Sequence, residues 1–323
     1  MLPKFDYQAP NSISDACSLL TQAQCGVAIM AGGTDLLIQM KNETLTPQVV
    51  IGLRKIEQLQ GLSYSETEGL SIGSMVSLQT LVSSELIRGN FPMLADAASS
   101  VGAIQHRFMG TVGGNLCLDT RCLYYNQPAE WRRCIPPCHK LGGNRCHAAK
   151  GVHSCHAVYS ADVGSALLAL DARVKITNGR MEKVISLEDF FSGDPVRPTN
   201  LQRNELVKEI IVPAQKPTFG RYYKLRQRRA IDFMQLGIAI VRFSEKNYYR
   251  IVIAGVEAKP LRFKHVEEML SHERISENLI AAVLTEIASK VKPVANISGS
   301  PIYRRKMVGI IIKKAFIEMG LVL

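Results

Sequence analysis

The first fifty residues alternate between apolar and polar runs in a way that predicts a small β-α-β-α-β unit. Residues 5–7 read as a short strand, and Ser12 followed by Asp15 is a capping pair that opens a helix through Leu19 and Leu20. Gly26 introduces a compact apolar run to Met30, bounded by glycines as a buried strand is, and residues 49–51 predict a further strand. Short strands are expected over 62–73, with helices over 77–86 and 93–101. Val163, Ala166, Leu167 and Leu170 then recur at helical spacing, and residues 174–176 return to a strand pattern. Asn178 and Gly179 make a turn and the periodicity changes after them, which places a domain boundary near residue 180. Beyond it, strands are expected at 209–212, 222–225, 235–242 and 249–255, and helices at 277–291 and 303–319. Strands followed by helices predict an α+β second domain.

A chain of 323 residues supports two domains with real cores. No stretch reaches the roughly 18 uninterrupted apolar residues of a spanning helix, since the run at Ile310, Ile311 and Ile312 ends at Lys313 and Lys314. The opening MLPKFDYQAPNSISDACSLL holds no apolar leader, so a soluble, cytoplasmic protein is expected, with no membrane partner. The formal net charge of +11 raises nucleic acid as a partner, with Arg226, Arg228 and Arg229, or Arg304, Arg305 and Lys306, as its contacts. Aromatic residues are not interleaved with these clusters and no nucleic-acid reading motif accompanies them, so none is expected. Docking of an acidic protein or an anionic cofactor suits the charge better, and a solvated basic face is the simplest alternative.

Candidate chemistry concentrates in two places. The first is a pair of glycine turns, Ala31-Gly32-Gly33-Thr34-Asp35 and Thr111-Val112-Gly113-Gly114-Asn115. Backbone N–H groups in such turns can converge on an anion, and a following helix start adds partial positive charge. Each alone is most simply a turn, but as a pair they fit the two sides of a pyrophosphate. Neither matches the dinucleotide fingerprint or the nucleotide-triphosphate loop. The second is a block holding Cys122, Cys134, Cys138, Cys146 and Cys155, just after Cys117 and together with His139, His147, His153 and His156. Such density points to a metal, to structural thiols or to disulfides, and a cytoplasmic setting favours metal. Spacing alone leaves zinc and an iron–sulfur cluster both open.

The segments AGGTDLL, TVGGNL and ADVGSALLALDARV, in that order, resemble the FAD-binding subunits of the molybdenum hydroxylase family, which includes xanthine and carbon monoxide dehydrogenases. VIGLRKI, LSIGSMV, KEIIVP and AGVEAKPLRF extend the likeness over nearly the whole chain. The resemblance implies an α+β, two-lobed FAD-binding domain of vanillyl-alcohol-oxidase (PCMH) type over residues 1–180, with lobes at 1–55 and 56–180. A C-terminal α+β domain with an antiparallel sheet would follow over 181–323. Most members cross from the second glycine turn to the Asp162 helix by a short loop. Here residues 117–158 form an insert, and NLCLDTRCLYYNQPAEWRRC with the later cysteines resembles the insert of the flavin subunits of 4-hydroxybenzoyl-CoA reductases.

That resemblance implies a [4Fe-4S] cluster on Cys122, Cys138, Cys146 and Cys155, with Cys117 and Cys134 left over. It further implies that FAD meets Met30, Ala31, Gly32, Gly33, Thr34, Asp35 and Leu36 on one side, and Thr111, Gly113, Gly114 and Asn115 on the other. Asp162 is implied near the cofactor's sugar hydroxyls, with helix capping as its rival role. Lys224 is implied near the isoalloxazine, with a surface position on a strand edge as its rival. No residue of this chain is expected to be catalytic. The implied partners are a large molybdopterin subunit, a small subunit with [2Fe-2S] clusters, arranged as a dimer of heterotrimers, and a ferredoxin-like donor. The implied reaction is reductive dehydroxylation of 4-hydroxybenzoyl-CoA. An aldehyde or N-heterocycle oxidoreductase with outward electron flow, or a zinc-stapled scaffold without redox work, are the alternatives.

Overall fold

The structure, a computed structural model, describes residues 2–23, 26–243, 248–273 and 275–321. In the first lobe, β1 (Asp6–Gln8), α1 (Ile13–Gln22), β2 (Val27–Met30), α2 (Leu36–Lys41) and β3 (Val49–Gly52) follow the expected order. The three strands are parallel in the order β1-β3-β2. Ser12 caps α1 by accepting from the Asp15 N–H at 3.1 Å. Ile13, Ala16, Cys17 and Leu20, at helical spacing, turn one face of α1 to the core.

The second lobe begins with the hairpin β4 (Leu62–Ser65) and β5 (Gly69–Gly73), followed by α3 (Leu78–Ser83), α4 (Glu85–Asn90), α5 (Pro92–Ser99), α6 (Ile104–Met109) and α7 (Val112–Leu116). The helix expected over 77–86 is two, because Ser84 ends α3 and its hydroxyl caps α4 at the Ile87 N–H. The cysteine-rich insert holds α8 (Ala129–Arg133). After it come α9 (Asp162–Ala169), β6 (Arg173–Thr177), β7 (Glu182–Ser186), α10 (Leu187–Phe190) and β8 (Leu206–Val212).

The boundary expected near residue 180 lies further on. Strands β4-β5-β8-β6-β7 form one sheet, in which β8 pairs with both β5 and β6. Ile72, Val174 and Ile210 are fully or almost fully buried there. Asn178-Gly179 is therefore a hairpin turn inside the lobe, and the strand expected at 209–212 belongs to this sheet rather than to the C-terminal domain. Local periodicity identifies a strand but not its partner.

The C-terminal domain runs through β9 (Phe219–Leu225), β10 (Leu236–Phe243), β11 (Tyr248–Ala254), β12 (Leu261–Arg262), α11 (Lys264–His272), α12 (Glu277–Lys290) and α13 (Pro301–Glu318). Its antiparallel sheet has the order β12-β11-β10-β9. β10 is apolar on both faces, and alternation divides the work. Ile238 and Ile240 join the core of the three helices, while Ala239, Val241 and Phe243 join the core of the second lobe. The sheet thus anchors the C-terminal domain to the second lobe. Arg304 is fully buried, so of the cluster Arg304, Arg305 and Lys306 only the last two are exposed. No helix among the described residues is long and apolar enough to cross a membrane.

Candidate functional site

A cavity of about 630 Å³ opens between the two lobes and the start of the C-terminal domain. Ala31, Gly32, Gly33, Thr34, Asp35, Leu36, Thr111, Gly113, Gly114, Asn115, Asp162 and Lys224 all line it. Met30 does not. Its sulfur packs beneath the turn, 3.3 Å from where a Cβ on Gly33 would stand.

Each glycine turn lets a neighbouring segment approach closely, the first at the residues just ahead of the second turn. A Cβ on Gly32 would stand 2.0 Å from the Met109 carbonyl oxygen, and one on Gly113 would stand 2.6 Å from Ser74 Cβ. Gly33 holds φ at +73°, which favours glycine. The turns differ in what they offer an anion. In the second, the N–H groups of Val112, Gly113, Gly114 and Asn115 are already bonded to Val76, Ser74 and Thr111. In the first, among the described residues, Gly32, Gly33 and Thr34 donate no backbone hydrogen bond. The expectation that both turns present N–H groups is therefore corrected: the first retains free donors, and the second contributes close approach. Asn115 has a further use, accepting from the Val163 N–H at 3.2 Å and so satisfying a donor at the start of α9.

Asp162 makes no side-chain cap to α9. Its carboxylate accepts from Lys224 Nζ at 3.0 Å and from the Tyr222 hydroxyl at 2.8 Å. The pair is buried, with side-chain exposures of 5% for Asp162 and 4% for Lys224. Burial pushes the Asp162 carboxyl above its ordinary value, and Lys224 opposes the shift. Lys224 also donates to the Ser100 carbonyl at 2.8 Å, so although β9 is an edge strand the lysine is not a surface group.

Three further features escape motif reading. The hydroxyls of Ser74 and Ser160, both on the cavity wall, are buried without a hydrogen-bond partner. Arg121, the residue before Cys122, reaches back to Asp35 at 2.9 Å and lies 3.7 Å over the Phe233 ring. Asp35 thus uses its carboxylate to hold the insert and Gln39 rather than to cap α2. The sequence signal for this contact is the likeness of the NLCLDTRCLYYNQPAEWRRC stretch, which contains Arg121. Cys117 also lines the cavity, and burial pushes its thiol up to about 12.

Within the insert, Cys122 lies near Cys138 and Cys146, and Cys155 lies near Cys122 and Cys138. Burial raises the thiols of Cys122 and Cys155, and neighbouring sulfurs raise them further: Cys146 and Cys138 for Cys122, Cys122 and Cys138 for Cys155. The bridge between Cys138 and Arg145 folds the middle of the insert back so that Cys146 follows directly. Backbone N–H groups of Tyr124 and Tyr125 approach the Cys122 sulfur, and that of Ala157 donates to Cys155 Sγ at 3.4 Å. Lys140, 4% exposed, is held by Asp119 and Thr120 and its charge favours the Cys155 thiolate. Cys134 is exposed, its Sγ 3.4 Å from the Glu130 carbonyl. Among the described residues no three His, Cys, Asp or Glu side chains are gathered tightly enough for a single metal ion.

Folded lobes, paired glycine turns and an apolar-walled cavity define a flavin-binding subunit, and comparison with known proteins gives its family. The FAD-binding domain in molybdopterin dehydrogenase matches residues 3–215, and the CO dehydrogenase flavoprotein C-terminal domain matches residues 221–319. The chain belongs to the FAD-binding subunits of the molybdenum hydroxylase family. It is 32% identical to the aldehyde oxidoreductase FAD-binding subunit PaoB of Escherichia coli, over 83% of this chain and 86% of that one. It is 24% identical to the glyceraldehyde dehydrogenase medium chain of Sulfolobus acidocaldarius, over 98% and 99%. A solved carbon monoxide dehydrogenase from Hydrogenophaga pseudoflava shares the fold, with a TM-score of 0.78 and 24% identity over 98% of this chain and 97% of that one.

Proposed function

We propose that this chain is the electron-transfer subunit of a molybdenum hydroxylase complex, carrying FAD in the interlobe cavity and one [4Fe-4S] cluster on Cys122, Cys138, Cys146 and Cys155. The observation that carries the reading is the bond between Arg121 and Asp35, which ties the thiol-bearing insert directly to the flavin turn. Fit to FAD is supported by the unpartnered Ser74 and Ser160 hydroxyls and by the free N–H groups of the first turn. Fit to a cluster is supported by the donor chemistry: four partly buried thiols, with Cys122 near Cys138, Cys146 and Cys155, N–H groups aimed at two of the sulfurs, and the Lys140 cation beside Cys155. When bound, flavin exchanges one or two electrons and an iron–sulfur cluster passes one at a time.

The chain's own residues then have distinct tasks. Gly32 and Gly33 let the backbone approach a pyrophosphate, and Lys224 supplies a fixed positive charge to the cavity wall, neutralised in the resting pair by Asp162. Arg121 keeps the insert registered against the flavin turn. Substrate chemistry belongs to a molybdopterin large subunit, with a [2Fe-2S] small subunit completing a heterotrimer that pairs into a dimer. The resemblance of the insert favours inward flow from a ferredoxin-like donor and reductive dehydroxylation of 4-hydroxybenzoyl-CoA. The second reading, outward flow from an aldehyde or N-heterocycle, is favoured by the name of the Escherichia coli relative.

Iron, sulfide, zinc and flavin analysis of the anaerobically purified chain tests the cofactors; stoichiometric zinc without iron would reject the relay. Assay of the purified complex with 4-hydroxybenzoyl-CoA and a reduced one-electron donor tests the direction. Aldehyde oxidation without dehydroxylation would select the second reading.

A further inference from the structure

The two ends of the insert enter and leave side by side. Arg121 and Val158 exchange both backbone hydrogen bonds, at 2.8 and 2.9 Å, as one rung of an antiparallel ladder. Two residues on along each strand, the next such rung would join Leu123 to His156. The Leu123 N–H instead donates to the backbone carbonyl of Asn296 at 2.8 Å. The Nδ2 of Asn296 donates in turn to the His156 carbonyl. One residue of the C-terminal domain is thus wedged between two strands at the level where they would otherwise pair.

Asn296 is fully buried, and so is Arg304. Arg304 Nη2 lies 3.4 Å from Asn296 Oδ1 and also bonds the Val294 carbonyl, while Nη1 donates to the Gly255 carbonyl at 2.8 Å. The wedge therefore has a fixed orientation. Its position is what matters: Cys122 immediately precedes Leu123, and Cys155 immediately precedes His156. Directly paired strands bring opposite Cα atoms to about 4.5–5.5 Å. An amide inserted between them holds the strands wider; the backbone carbonyl meets the Leu123 N–H whatever the side chain, but no apolar side chain in its place would donate to the His156 carbonyl.

We propose that Asn296, oriented by Arg304, is a positioning residue that holds the ends of the insert apart so that Cys122 and Cys155 take separate corners of one iron–sulfur cluster. The proposal rests on the cluster reading given above. It makes the C-terminal domain part of the cluster site, although it supplies no thiol.

The test uses the full chain, purified anaerobically, and Asn296→Asp. This variant keeps the size and the backbone contact but turns the donor facing His156 into an acceptor. With flavin content and far-UV circular dichroism unchanged, iron and sulfide should fall and chelator-driven cluster loss should quicken by about tenfold, the scale of one buried hydrogen bond to stability. The electron paramagnetic resonance signal of the remaining reduced cluster and its midpoint potential should shift. Wild-type iron content, loss rate, signal and potential in Asn296→Asp would overturn the proposal. Should Asn296→Asp fail to fold, Arg304→Lys, which leaves the wedge in place but unoriented, is read for the same two outcomes. Loss of flavin and iron together in both variants would overturn the proposal in favour of a general structural role. A wild-type chain without iron would overturn the cluster reading and the proposal with it.

Discussion

Replacing Lys224 with Met leaves the Asp162 carboxylate 95% shielded from solvent, with the Tyr222 hydroxyl as its remaining side-chain partner. Removing one member of a buried ion pair costs about 3–5 kcal/mol. Here protonation sets a ceiling. A carboxyl with an unfolded pKa near 3.9 can be neutralised at pH 7 for about 4 kcal/mol, at about 1.36 kcal/mol per pH unit. Loss of the Lys224 bond to the Ser100 carbonyl adds about 1 kcal/mol. The expected penalty is therefore about 3–5 kcal/mol at pH 7. Its pH dependence has a definite sign. In Lys224→Met the folded chain binds the Asp162 proton more readily than the unfolded chain does, so stability relative to wild type falls as pH rises from about 4 towards 7. Below the unfolded value that part of the penalty is gone. Urea unfolding of wild type, Lys224→Met, Asp162→Asn and the double variant at several pH values measures it. The double variant should recover most of the loss, because no charge is then buried alone. A penalty independent of pH, or a double variant as weak as Lys224→Met, would refute the buried-pair account.

Other outcomes follow from the same geometry. Gly32→Ala drives a methyl to 2.0 Å from the Met109 carbonyl, so the glycine turns must separate at a cost of about 1–3 kcal/mol, and flavin content should drop; an unchanged FAD affinity would contradict the close approach. Serine at Cys122, Cys138, Cys146 or Cys155 should each lower the iron content, whereas Cys134→Ser should retain it; loss of iron in Cys134→Ser would remove the proposed ligand set. Alkylation at pH 8, mapped by mass spectrometry, should mark exposed Cys134 well before Cys117, which is only partly exposed and whose raised thiol stays protonated. Earlier labelling of Cys117 would show that the cavity wall is open.

Sequence by itself determined what is local or carried by a motif. Apolar spacing and a Ser12 cap were enough for the β-α-β-α-β opening, because a helix face and a strand run are written in consecutive residues. The glycine turns were legible for the same reason, and the structure gives the glycines separate causes: close approach to Met109 for Gly32, a positive φ for Gly33 and close approach to Ser74 for Gly113. Tertiary structure decided which strands share a sheet, since β8 joins β5 and β6 across long stretches of chain and no periodicity encodes a partner. It also decided the use of side chains. Asp35 serves Arg121 and Asp162 serves Lys224 and Tyr222, both set by neighbours far along the chain, while Met30 turns its sulfur beneath Gly33. The cysteines could be counted in the sequence, but the wedge of Asn296 between the ends of their insert exists only once the C-terminal domain has folded against them.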